Sequence, residues 1–151
     1  MIPVKDGVFP ESLDRFDGFT VTGSPASVHD PDPWVALLMD LIRQIQALDR
    51  PISGACFGHQ AIAKALGGSV GPNPEGWVFG LTETNMEGRD IRLYAAHKEQ
   101  VTALPAGAEP LGGNTGRPIG AFRLGLRILT TQYHPEITPD FAKAQVEEYA
   151  D

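Results

Sequence analysis

Residues 51–60 read Pro51-Ile52-Ser53-Gly54-Ala55-Cys56-Phe57-Gly58-His59-Gln60, and this stretch decides the fold. Residues 51–55 form a short apolar run suited to a buried strand. From 57 to 66 the pattern turns helical, with Ala61, Ile62, Ala65 and Leu66 facing inward and Gly67-Gly68 as the stop. Cys56 stands at the bend between them. Upstream, residues 19–22 (Phe-Thr-Val-Thr) are rich in β-branched side chains and break at Gly23-Ser24-Pro25, so they read as another short strand. A helix follows, with Asp32 as N-cap and Pro33 in its first turn. Trp34, Leu37, Leu38, Leu41, Ile42, Ile45 and Leu48 recur at three- and four-residue steps on its core face. Strand, helix, strand, helix in this order requires parallel pairing with helical crossovers.

Past Gly80 the pattern changes. Residues 81–86 and 91–95 read as strands around Glu87-Gly88, and 119–124 with 127–133 as a second hairpin around Gly125. Thr138-Pro139 opens a terminal helix running toward Tyr149. The expected fold is one α/β domain over residues 1–151: a three-layer, open, mostly parallel sheet flanked by helices, with an antiparallel extension.

Composition narrows the function. At 151 residues and 42% hydrophobic, the chain fills one core. A formal net charge of −7 without a Lys/Arg cluster argues against a nucleic-acid partner. No apolar run reaches the ~18–20 residues of a membrane span. The single cysteine excludes an internal disulfide and suits a reducing compartment. With one cysteine and four widely separated histidines, the sequence offers no metal-ligand spacing.

Gly54-Ala55-Cys56-Phe57-Gly58 has the small residues two before and two after a nucleophile that a sharp strand-to-helix turn demands. Such a turn predicts a strained but exposed Cys56. The helix N-terminus beyond it favours thiolate over thiol. The competing reading is an inert buried cysteine, a common role for that residue type.

Three motifs stand in order: Thr22-Gly23-Ser24-Pro25, then Gly54 to Gln60, then Tyr133-His134-Pro135-Glu136. Together they resemble class I glutamine amidotransferases, in particular chains similar to the glutaminase domain of GMP synthetase and to γ-glutamyl peptidases. The resemblance implies the flavodoxin-like fold of that family. It assigns Cys56 as nucleophile, His134 as base and Glu136 as the acid that orients it. Residues 134 and 136 point to the same side of an extended segment, which fits that pairing. The same resemblance gives the backbone N–H groups of Ser24 and Phe57 as an oxyanion hole, and Gly23, Gln60 and His97 as substrate contacts. It implies no cofactor and no metal.

His97 then belongs to a loop bordering the site, His59 is structural, His29 is a surface residue, and Trp77 covers the edge of the core. Relatives carry a further strand and helix before the segment matching Val8-Phe9-Pro10. The expectation is therefore an open sheet edge and an apolar cleft there, in a piece of a longer chain or in a variant that closes the gap as a homo-oligomer. The substrate implied is glutamine, with ammonia passed to an acceptor or a synthetase subunit in the cytoplasm. γ-Glutamyl peptide or amine hydrolysis with the same triad is the second reading, and a non-catalytic binding module is the third.

Overall fold

The computed structural model describes residues 1–149. After a 3-10 turn at Val4–Asp6, nine strands and three α-helices among these residues follow the order β1 (Phe19–Val21), α1 (Pro33–Ala47), β2 (Ile52–Ala55), α2 (Phe57–Ala65), β3 (Ser69–Pro72), β4 (Val78–Met86), β5 (Arg89–His97), β6 (Glu99–Ala103), β7 (Ala108–Asn114), β8 (Arg117–Leu124), β9 (Ile128–Thr131) and α3 (Pro139–Tyr149). Seven strands form one sheet in the order β1-β2-β9-β8-β7-β4-β5, and β3 pairs with β6 in a small second sheet. β1, β2 and β9 are parallel, while every ladder from β9 outward to β5 is antiparallel. The parallel core with an antiparallel extension is thus present, and the extension holds the greater number of ladders.

The core lies between β1-β2-β9 and the two helices α1 and α2. Ile42, Ala61, Ile62 and Phe122 are completely buried there. Asp32 occupies the N-cap position of α1 and Pro33 its first turn, but the Asp32 side chain makes no capping hydrogen bond. The buried face of α1 is Val35, Leu38, Met39, Ile42 and Ile45, whereas Leu37 and Leu48 are about half exposed. The expected face is corrected by part of a turn: the 3.6-residue period passes through Val35 and Met39, which a stripe drawn through the leucines omits.

Alternation decides the two faces of the parallel strands. Ile52, Gly54, Ile128 and Thr130 point into the core, while Thr20 and Leu129 point out to solvent. β1 is an edge strand. Beside it an apolar cleft of about 470 Å³ opens between the N-terminal segment and α1, lined by Ile2, Val4, Phe19, Leu41, Ile42 and Ile45 among others. This is where the sequence reading expects an open edge.

Other boundaries differ. β7 escapes a reading by alternation because Pro110, Gly112 and Gly113 interrupt it, and the ladder to β8 shifts register at those residues. β3 and β6 are equally inconspicuous, since β3 contains Gly71 and Pro72. β4 begins at Val78, three residues before the expected start, and β5 continues to His97. Trp77 is 68% exposed and covers no core edge.

Candidate active site

The C-terminal ends of β1 and β2 and the segment after β9 converge on Gly23. A β-carbon added there would lie 3.1 Å from His134 Cε1 and 3.8 Å from Cys56 Cβ. Cys56 adopts φ 51° and ψ −107°, a conformation rare outside glycine that costs of order 1–3 kcal/mol. Packing enforces it. A β-carbon on Gly58 would approach the Val21 carbonyl oxygen to 2.0 Å, and one on Gly54 would meet the Gly58 carbonyl carbon at 2.6 Å. Both positions must be glycine for the bend to close against β1. The Cys56 N–H donates to the Thr131 carbonyl at 2.9 Å and pins the bend to β9.

His134 Nδ1–H donates to Glu136 Oε1 at 2.6 Å, which leaves Nε2 free to exchange a proton with another group. The His134 backbone N–H donates to the Tyr94 carbonyl at 2.8 Å, so β5 fixes the segment carrying the imidazole. β5 also meets the sulfur: the Cys56 thiol donates to the Ala96 carbonyl at 3.5 Å.

The sulfur is less available than the turn suggests. Cys56 is only 6% exposed, which corrects the expected exposed position. Burial pushes its pKa up to about 11, the Phe57 N–H directed at the sulfur opposes that, and the Glu136 charge adds to it. The expected thiolate is therefore corrected to a resting thiol. Desolvation outweighs the N-terminal end of α2.

The loop after β1 carries Ser24. Its hydroxyl accepts the Ala26 N–H at 3.2 Å, while its own N–H has no backbone acceptor among the described residues. Ser24 and Phe57 thus present N–H groups on the two chain segments that flank Cys56 and Gly23.

Gln60 and His97 are both nearly buried. The Gln60 amide donates to the Glu99 carbonyl at 2.7 Å and to Gln132 Oε1 at 3.1 Å, leaving only its Oε1 for a further partner. His97 is the last residue of β5, not part of a loop, and its Nδ1–H donates to the Glu99 carbonyl at 2.9 Å. Burial holds His97 neutral by lowering its pKa to about 4, with Arg117 and His134 acting in the same direction. His59 is fully enclosed, and its Nδ1 bonds Thr130 Oγ1 at 2.8 Å. The structure therefore gathers Cys56, His134, Glu136, Gly23, Ser24 and Phe57 at one bend, and sets Gln60 and His97 into the adjoining interior.

A family profile described as glutamine amidotransferase class-I matches residues 4–148. The chain belongs to that family. A γ-glutamyl peptidase of Arabidopsis thaliana is 29% identical over 91% of this chain. A glutamine-hydrolysing GMP synthase of Aeropyrum pernix is 33% identical over 84% of it, matching 25% of the synthase. Among solved structures, a glutamine amidotransferase of Methylobacillus flagellatus superposes on 97% of this chain with a TM-score of 0.89 at 23% identity, covering 63% of that protein. The chain spans about three-fifths of the length of the γ-glutamyl peptidases it matches.

As a class I amidotransferase chain it carries the bend at Cys56 in a form dictated by its own packing. What the motifs do not reveal is the part played by Tyr94, Ala96 and Glu99. These residues act through main-chain carbonyls, which any residue type supplies. No sequence signal marks them. Among the described residues, no helix is long and apolar enough to cross a membrane.

Proposed function

We propose that Cys56 hydrolyses the side-chain amide of glutamine through a γ-glutamyl thioester. The observation that carries this reading is the meeting of three groups around Gly23: the Cys56 side chain, the His134 imidazole, and the carboxylate of Glu136 on Nδ1. Because the thiol rests protonated, His134 Nε2 must take its proton as sulfur attacks the amide carbon. The C–N bond then breaks, and the same imidazole returns the proton to the departing ammonia. Water, activated by His134, cleaves the thioester and releases glutamate. The Ser24 and Phe57 N–H groups face the oxyanion formed in both steps. Gln60 Oε1 accepts a hydrogen bond from the substrate amide, and His97 borders the glutamyl chain.

The γ-glutamyl peptidases among the relatives favour a second substrate class, γ-glutamyl peptides, for which the same steps release an amine instead of ammonia. Ammonia would pass to water or to a synthetase partner; the match to a quarter of a glutamine-hydrolysing GMP synthase supports the second route. A single nucleophilic thiol works only while reduced, which supports a cytoplasmic setting.

Comparing ammonia release from glutamine with cleavage of γ-glutamyl peptides separates the two substrates. Cys56→Ala is expected to lower either rate by about 10⁴-fold or more. Wild-type protein should also gain the mass of a covalent adduct on Cys56 with diazo-oxo-norleucine, slowed by glutamine. Equal rates for wild type and Cys56→Ala on every substrate, with no adduct, would overturn the proposal and leave a non-catalytic binding module.

A further inference from the structure

The proposed oxyanion donor Ser24 lies three residues past the end of β1, on a loop that the buried Val28 and several side-chain hydrogen bonds tie down farther along. Residues 24–30 are folded on themselves. Ser27 N–H donates to Asp30 Oδ2 at 2.8 Å, His29 N–H to Ser27 Oγ at 3.0 Å, and Asp30 N–H to the Ser27 carbonyl at 3.2 Å. The far end is tied to α2 and β3, since Lys64 Nζ donates to the Val28 carbonyl and to His29 Nδ1, both at 2.8 Å, and His29 Nε2–H donates to the Val70 carbonyl at 3.0 Å. The near end is tied by one side-chain bond, from Ser27 Oγ to Glu99 Oε2 at 2.7 Å.

Glu99 is also the residue whose main-chain carbonyl receives both Gln60 Nε2 and His97 Nδ1. One residue therefore touches the oxyanion loop with its carboxylate and the substrate-side residues with its backbone. We infer that Glu99 is a positioning residue: through Ser27 it sets the Ser24 N–H relative to Cys56, in register with Gln60 and His97. The assignment rests on the hydrolytic reading above, because only a developing oxyanion makes the Ser24 N–H matter. Removing an oxyanion donor outright costs about 10²–10³ in rate, and a loop that is merely loosened costs part of that.

The test uses Ser27→Ala, Glu99→Ala and Glu99→Gln in the whole chain. Removing either side chain leaves the Glu99 carbonyl in place, so Gln60 and His97 keep their partner. The expected result is a fall of about tenfold in kcat for Ser27→Ala and Glu99→Ala with KM within about threefold, since an oxyanion donor acts on the transition state and not on the bound substrate. Glu99→Gln, whose amide oxygen still accepts from Ser27, should recover at least half of the wild-type kcat. The double variant should be no slower than Ser27→Ala alone, because that substitution already removes the bond to Glu99 together with the His29 N–H contact. Amide hydrogen exchange across residues 23–28 should quicken about tenfold in the two alanine variants and not in Glu99→Gln.

Unchanged kcat in both alanine variants of an active protein, multiplicative losses in the double variant, or unaltered exchange would overturn the assignment. Wild-type protein inert toward glutamine and γ-glutamyl peptides would instead sink the hydrolytic reading and with it the positioning role of Glu99 in that reaction. The exchange data would then decide the tether alone.

Discussion

At one end of the large sheet, β1, β2 and β9 run parallel beneath α1 and α2. At the other, β4 and β5 form a long antiparallel hairpin of nine residues a side. The parallel end buries Ile42, Ile52, Ile62 and Ile128 almost completely. The hairpin contributes only Thr84, Ala95 and His97 to the buried set and leaves Phe79 and Leu81 more than half exposed. Cys56 sits on the packed end, and the hairpin reaches the candidate site with carbonyl oxygens. Packing specifies side chains on the first, while the second meets the site through groups common to every residue. Substitutions should therefore be felt very differently at the two ends.

Gly58→Ala is expected to have the largest effect. Its new methyl would collide with the β1 backbone at Val21, so the chain should fail to fold or lose more than about 3 kcal/mol in urea unfolding. Gly88→Ala, in the hairpin turn, meets nothing within 4 Å and strains only its φ of +81°. A loss of about 1 kcal/mol is expected there. Equal losses at the two glycines would break the contrast.

Glu136→Gln tests function apart from packing. Its side chain is 58% exposed, so stability should hold within about 0.5 kcal/mol. kcat should still drop by about 10²-fold as His134 loses its orienting charge. A steady-state assay paired with a melting curve checks both halves.

Acid titration compares one buried histidine from each end. Burial lowers the pKa of His59 on α2 to about 3 and that of His97 on β5 to about 4. Each contributes stability that is complete above the unfolded value near 6.5 and disappears as pH falls, toward 4 for His97 and toward 3 for His59. His59→Gln should flatten the fall in Tm between pH 6.5 and 3 more than His97→Gln does. The reverse order would place the stiffer interior at the hairpin.

The smallest effect is expected at Leu81→Ala. At 53% exposure it should change stability by less than about 0.5 kcal/mol in the same urea experiment. A loss above about 2 kcal/mol would mean that the hairpin has a core of its own.

The same contrast explains what could be read from the residues in advance. β1, α1, β2 and α2 are legible because apolar spacing, Pro33 and the paired glycines 54 and 58 each have a single structural meaning in sequence. β7 is illegible because its pairing survives Pro110 and two glycines through shifted register. Cys56, His134 and Glu136 are visible as residue types with motif spacing. The ionisation of Cys56 is not, because the number of atoms packed around a sulfur is a tertiary property that competes with the helix terminus. Ser27 and Glu99 are equally hidden: 72 residues apart, they are joined by a contact that no local pattern announces.

The proton retained on Cys56, directed at the Ala96 carbonyl, also bears on how the sulfur meets oxidants. Peroxide attacks the ionised form of sulfur, and climbing the sulfenic-to-sulfonic ladder beyond its first rung is irreversible for most cysteines. In the mechanism proposed above, Cys56 ionises only while transferring its proton to His134 and rests as the less reactive thiol. Under that mechanism the single cysteine is expected to react with peroxide more slowly than an exposed thiol at neutral pH.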